Sequence, residues 1–101
     1  MIFQPAIYIL TNKPRGVLYI GVTSDLMKRI YQHRIGMMKG FSRRYNLTQL
    51  VHYELFGTME WAITREKQLK SWHRDWKIAL IAETNPKWRD LAEDLGFEAL
   101  R

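Results

Sequence analysis

The chain of 101 residues contains no cysteine. That excludes disulfides and thiolate metal sites, and an intracellular, cytoplasmic setting is the natural expectation. Nothing in it approaches the roughly 20 consecutive apolar residues that a membrane-spanning helix needs, so no membrane partner is expected. The opening Met1-Ile2-Phe3-Gln4-Pro5 lacks the basic stretch and long apolar core of a signal peptide. There is no internal repeat, low-complexity stretch or linker, and a chain of this length reads as one domain over residues 1–101. Several chemistries lack their residues. The three histidines, His33, His52 and His73, have no zinc-type spacing. No glycine-rich phosphate loop occurs, and no tight group of carboxylates suggests a two-metal centre.

Acidic residues are scarce in one half only. Residues 1–57 hold eight Lys/Arg against Asp25 and Glu54, whereas residues 58–101 hold eight of each sign. The net charge of +6 therefore comes from the first half. A concentrated positive field suits a polyanion, nucleic acid above all.

Residues 6–11 and 17–22 are short, apolar and β-rich, and Asn12-Lys13-Pro14-Arg15-Gly16 between them is a dense turn signal. An antiparallel hairpin follows. Thr23 or Ser24 is the expected cap of a helix with Asp25 in its first turn. Leu26, Ile30, His33 and Met37 then form one stripe, bordered by Arg29, and Gly36 ends the helix. Residues 38–47 read as a basic loop, and 50–55 as a third strand closed by Gly57. Helices follow over about 59–72 and 75–83. Asn85-Pro86 reads as a cap and first position of a last helix over about 86–95. The expected class is α+β, a small three-stranded antiparallel or mixed sheet flanked by helices in the order ββαβααα.

Arg29 and His33 are four residues apart, so on a helix they share a face. Tyr8 and Tyr19 sit in the two apolar strands, so they can stand on one sheet. Each of these four has an ordinary role open to it, as a core aromatic, a solvated cation or a satisfied buried histidine. Together, two phenols, a guanidinium and an imidazole suit work on a phosphodiester. Glu66 shares a helical column with Ala62, Leu69 and His73, while Ile63, Lys67, Lys70 and Arg74 form the charged column. An inward carboxylate needs a partner, either a neighbouring base or a hard divalent cation. Lys39, Arg43, Arg44 and Tyr45 interleave cations with an aromatic ring, a pattern for phosphate contact and base stacking.

Ala6-Ile7-Tyr8, then Tyr19-Ile20-Gly21, then Arg29 and His33 at these spacings resemble the GIY-YIG nuclease family, in particular its small single-domain members. Ala6 stands where the family name has its first glycine. The helix bearing Glu66 resembles the family's glutamate helix, and Asn85 resembles the closing asparagine of the small members. The likeness runs over about residues 6–95. It implies an endonuclease that hydrolyses phosphodiester bonds, leaving a 3′ hydroxyl and a 5′ phosphate, with structure-specific roles in DNA repair or recombination among its relatives. It implies catalytic roles for Tyr8, Tyr19, Arg29, His33 and Asn85, and Mg²⁺ or Mn²⁺ at Glu66. DNA is the implied partner, with RNA open, as are the oligomeric state and the choice of Tyr19 or His33 as general base. Val22 occupies the place of a lysine in the excision-repair relatives. The competing expectation is a non-catalytic nucleic-acid-binding module with the same fold.

Overall fold

The structure, a computed structural model, describes residues 3–37 and 40–100, the side chains of residues 41 and 42 excepted. Two strands, β1 (Ala6–Thr11) and β2 (Leu18–Thr23), form the expected hairpin and are followed by α1 (Leu26–Arg34). A short helix α2 (Phe41–Arg44) leads into β3 (Gln49–Leu55), then α3 (Met59–Ser71) and α4 (Arg74–Thr84). The sheet is antiparallel throughout, in the order β2-β1-β3. Within the turn, the Asn12 side-chain oxygen accepts from the Val17 N–H, and a Cβ on Gly16 would collide with that oxygen.

Alternation along β1 divides the core into two layers, because successive side chains leave opposite faces of a strand. Ala6, Tyr8 and Leu10 pack with Leu26 and Ile30 of α1, with Leu47, Leu50 and Ala92, and against Tyr19. Ile7 and Ile9 pack on the other side with Ile20, Val51, Ala62 and Leu69 of α3, and Ile81 of α4. The central strand is thus buried on both faces, and each tyrosine of the hairpin looks toward α1.

One helix cap and one stripe position differ from the sequence expectation, while the end at Gly36 is as expected. Asp25, not Thr23 or Ser24, caps α1: its carboxylate accepts from the Lys28 N–H, while Thr23 Oγ1 accepts from the Asp25 N–H. The helix stops at Ile35, and Gly36 follows at φ 75°, so Met37 leaves the apolar stripe and is exposed. The residues expected to form a loop at 38–47 contain α2, and Lys39 falls outside the described residues.

The larger correction concerns the last helix. Asn85 closes α4 instead of opening a new helix, and only a short 3₁₀ turn, Glu93–Leu95, follows. Residues 85–92 are held by side chains that compete with helical hydrogen bonding. Asn85 Nδ2 donates to the carbonyls of Val51 and Arg89, and its Oδ1 accepts from the Arg89 N–H. Val51 lies at the register shift where β1 residues 9 and 10 pair with His52 and Leu50, so Asn85 satisfies a carbonyl at a bulge. Asp90 Oδ1 accepts from the N–H groups of Leu50 and Ala92, and Oδ2 pairs with Arg34 at 2.6 Å. Trp88, at φ 54°, is buried in the α3–α4 layer.

Candidate active site

The register sets Tyr8 opposite Gly21 and Leu10 opposite Tyr19, which puts both phenols on the α1 face. Gly21 is indispensable to this arrangement. A Cβ there would overlap Cζ and Oη of Tyr8 and stand 2.8 Å from Cε1, so the ring lies over a backbone that has no side chain. The last residue of Tyr19-Ile20-Gly21 thereby positions the tyrosine of the other strand.

From α1, His33 completes a triangle of rings. Centroids lie 6.2 Å apart for Tyr8 and Tyr19, 5.7 Å for Tyr8 and His33, and 5.6 Å for Tyr19 and His33. Tyr8 Oη is 3.2 Å from His33 Nε2. Tyr8 and His33 are buried, whereas Tyr19 is half-buried and open to solvent. Burial raises the Tyr8 pKa well above the ordinary phenol value, helped by Tyr19 and Glu66 and opposed by the Arg29 charge. Tyr8 is therefore a neutral hydroxyl. Burial, and then the Arg29 charge, lower His33 to about 4, so its imidazole is neutral near pH 7. Arg29 itself is half-buried and lines a cleft of about 180 Å³ with Thr23, Ser24, Asp25, Lys28 and Gln32.

Glu66 reaches the same region from α3. Its charge acts on Tyr8, its side chain is 15% exposed, and Lys70 one turn along pairs with it at 3.3 Å, itself 54% exposed. The column expected for Glu66 holds at Ala62 and Leu69, both buried, but ends at His73, which is exposed in front of α4. Among the described residues no group of three or more His, Asp or Glu could hold a metal.

The structure thus brings together Tyr8, Tyr19, Arg29, His33 and Glu66. Asn85 lies elsewhere, over β3, the strand not adjacent to β2, and its amide bonds go to Val51 and Arg89. Arg43, Arg44 and Tyr45 are exposed on and after α2, with the Arg44 guanidinium 5.6 Å from the centre of the Tyr45 ring. Lys28, Gln32 and Lys70 border the group and had no distinguishing spacing in the sequence. Only the fold puts them there.

Five groups on this hairpin-and-helix frame define a class. Residues 4–79 match the GIY-YIG catalytic domain, and the chain belongs to that family. Among its relatives, a UPF0213 protein of Staphylococcus saprophyticus is 38% identical over 77 residues, covering 76% of this chain and 93% of the relative. One from Clostridium perfringens is 32% identical over 91 residues, covering 90% and 97%. The solution structure of a UPF0213 protein from Bacillus halodurans superposes with a TM-score of 0.56 at 26% identity, over 94% of this chain and 99% of that one.

Proposed function

We infer that the protein is a metal-dependent endonuclease that hydrolyses phosphodiester bonds of DNA at this cluster. The observation that carries the reading is the convergence of Tyr8, Tyr19 and His33 within about 6 Å of one another, under the charges of Arg29 and Glu66. A core of packed aromatics would have no use for two opposite charges beside it.

Tyr19 is the most accessible of the three, so its hydroxyl oxygen meets the attacking water and takes its proton while passing its own to solvent, as the bond from phosphorus to the leaving 3′ oxygen breaks. Tyr8 and His33 stand behind it, bonded to each other at 3.2 Å, and hold it in place. With its pKa near 4, His33 is a weak base, so its main work is alignment. Arg29 balances the charge that grows on the non-bridging phosphate oxygens, a task its planar fork suits. Its cleft offers the phosphate an approach over α1.

Glu66 fits a hard divalent cation that keeps most of its water, since one carboxylate plus substrate oxygens suffices for Mg²⁺. When bound, such an ion would polarise the phosphate and stabilise the leaving oxygen. Lys70 pairs with the carboxylate from its exposed side, and that ammonium is free to move when a cation takes its place. Arg43, Arg44 and Tyr45, with Lys39 beside them in the sequence, are assigned to backbone contact and stacking.

The test is a cleavage panel of duplex, branched and single-stranded DNA and the matching RNAs, with Mg²⁺, Mn²⁺ or EDTA. Metal-dependent cuts in DNA ending in a 3′ hydroxyl and a 5′ phosphate are expected. Tight binding without cleavage under every condition would replace this reading with a non-catalytic nucleic-acid-binding module.

A further inference from the structure

We propose that the free edge of β2 carries a second phosphate-binding track, formed by Lys70 and Lys77, that receives the nucleic-acid backbone beyond the scissile position. The proposal rests on the nuclease reading for the identity of the scissile position, and otherwise on the following geometry.

A cleft of about 260 Å³ is lined by Leu18, Tyr19, Ile20, Lys70 and Lys77. Leu18 and Ile20 pack in the α3–α4 layer, whereas Tyr19 packs in the α1 layer. Residues of both faces can line one cleft only at the strand's edge. That edge is open, because β2 pairs with β1 alone. The cleft therefore runs along the open edge of β2, with Tyr19 and two lysines from two different helices in its lining.

The fold adds cations to the same end of the sheet. Arg74 Nη2 donates to the carbonyls of Arg15 and Gly16, each at 2.6 Å. This ties the β1–β2 turn, with exposed Lys13 and Arg15, to the start of α4. Lys13, Arg15, Lys70, Arg74 and Lys77 thus share this side of the molecule, against Glu66 and Asp75. The Lys70 ammonium is exposed, so it can swing from Glu66 to a phosphate. Paired cations beside an apolar floor of Leu18 and Ile20 match an alternating chain of phosphates and sugars.

The experiment measures binding of a short fluorescein-labelled DNA duplex in EDTA as salt is raised, for wild type, Lys70→Gln/Lys77→Gln and Lys87→Gln. Lys87 lies past the far end of α4 and serves as the control. Circular dichroism checks the fold of each. The double variant is expected to give a log–log slope shallower by about 0.9 for each phosphate it no longer neutralises, with the control unchanged. A slope equal to wild type overturns the track, as does an equal loss in the control. Cleavage by wild type is scored separately. If it binds with the predicted slope change but never cuts, the nuclease reading fails and the track stands. If it cuts and the slope does not change, the reverse holds.

Discussion

Gly21 and His33 are the residues at which the account is most exposed. Gly21→Ala drives a methyl group into Tyr8 Cζ and Oη, an overlap no relaxed packing allows, so the ring must leave its place over β2. A stability loss of about 1–3 kcal/mol is expected from this overpacking, together with a loss of cleavage larger than the unfolded fraction explains. Unchanged melting and turnover would mean that the ring position is immaterial. His33 makes a prediction in pH. Its folded-state pKa near 4 lies below the ordinary 6.5, so below pH 6.5 the unfolded chain binds the proton first. Stability from this group should fall between about pH 6.5 and 4 and then level off. His33→Gln should remove that slope in urea titrations, and a variant with the same slope would show that the imidazole is not held neutral. The positions of Tyr8, Tyr19, Arg29 and His33 were legible in the sequence, because alternation along two strands and one helix face fix their directions. The roles of the rings were less so. The helical stripe already marks His33 for burial, whereas only the packed structure leaves Tyr19 the more accessible ring.

At the scale of elements, the hairpin, β3, α3 and α4 follow from periodicity and turn residues, and they sit within a residue or two of where the pattern puts them. The last helix does not. Asn-Pro is a good start signal, but Asn85 and Asp90 spend their side chains on β3, and Trp88 turns into the core. A local signal gave way to tertiary bonds that no single-chain pattern displays. The consequence is testable. Asn85→Ala removes the donors to the Val51 and Arg89 carbonyls, one of them at the bulge, and should cost about 1–3 kcal/mol of stability. Asn85→Ser, an equivalent helix cap, should cost a similar amount, because its short hydroxyl cannot replace the amide. Turnover of the folded fraction should persist in both. A Ser variant that melts like wild type would restore the capping role, and an inactive but stable one would return Asn85 to the site.

For the whole molecule, charge counted along the chain and charge arranged in space give different pictures. The excess lies in residues 1–57, yet from the balanced half Arg74 bonds the β1–β2 turn and Lys70 and Lys77 line the edge of β2. Two acids of that half are paired elsewhere, Asp90 with Arg34 and Asp94 with Arg89. None of the described helices is long and apolar enough to cross a membrane. What the sequence shows of the site is therefore its centre, and what it conceals is the surface around that centre, since neighbours drawn from distant segments leave no spacing to read. The central claim, that the cluster cuts phosphodiesters through its single carboxylate, is tested most directly by Glu66→Gln. Cleavage of labelled DNA in Mg²⁺ or Mn²⁺ is measured beside binding of the same DNA in EDTA. The account predicts that cleavage is abolished at every metal concentration while affinity in EDTA is retained or slightly raised, since a negative charge near the phosphates is removed. Turnover near that of wild type in Glu66→Gln would contradict it.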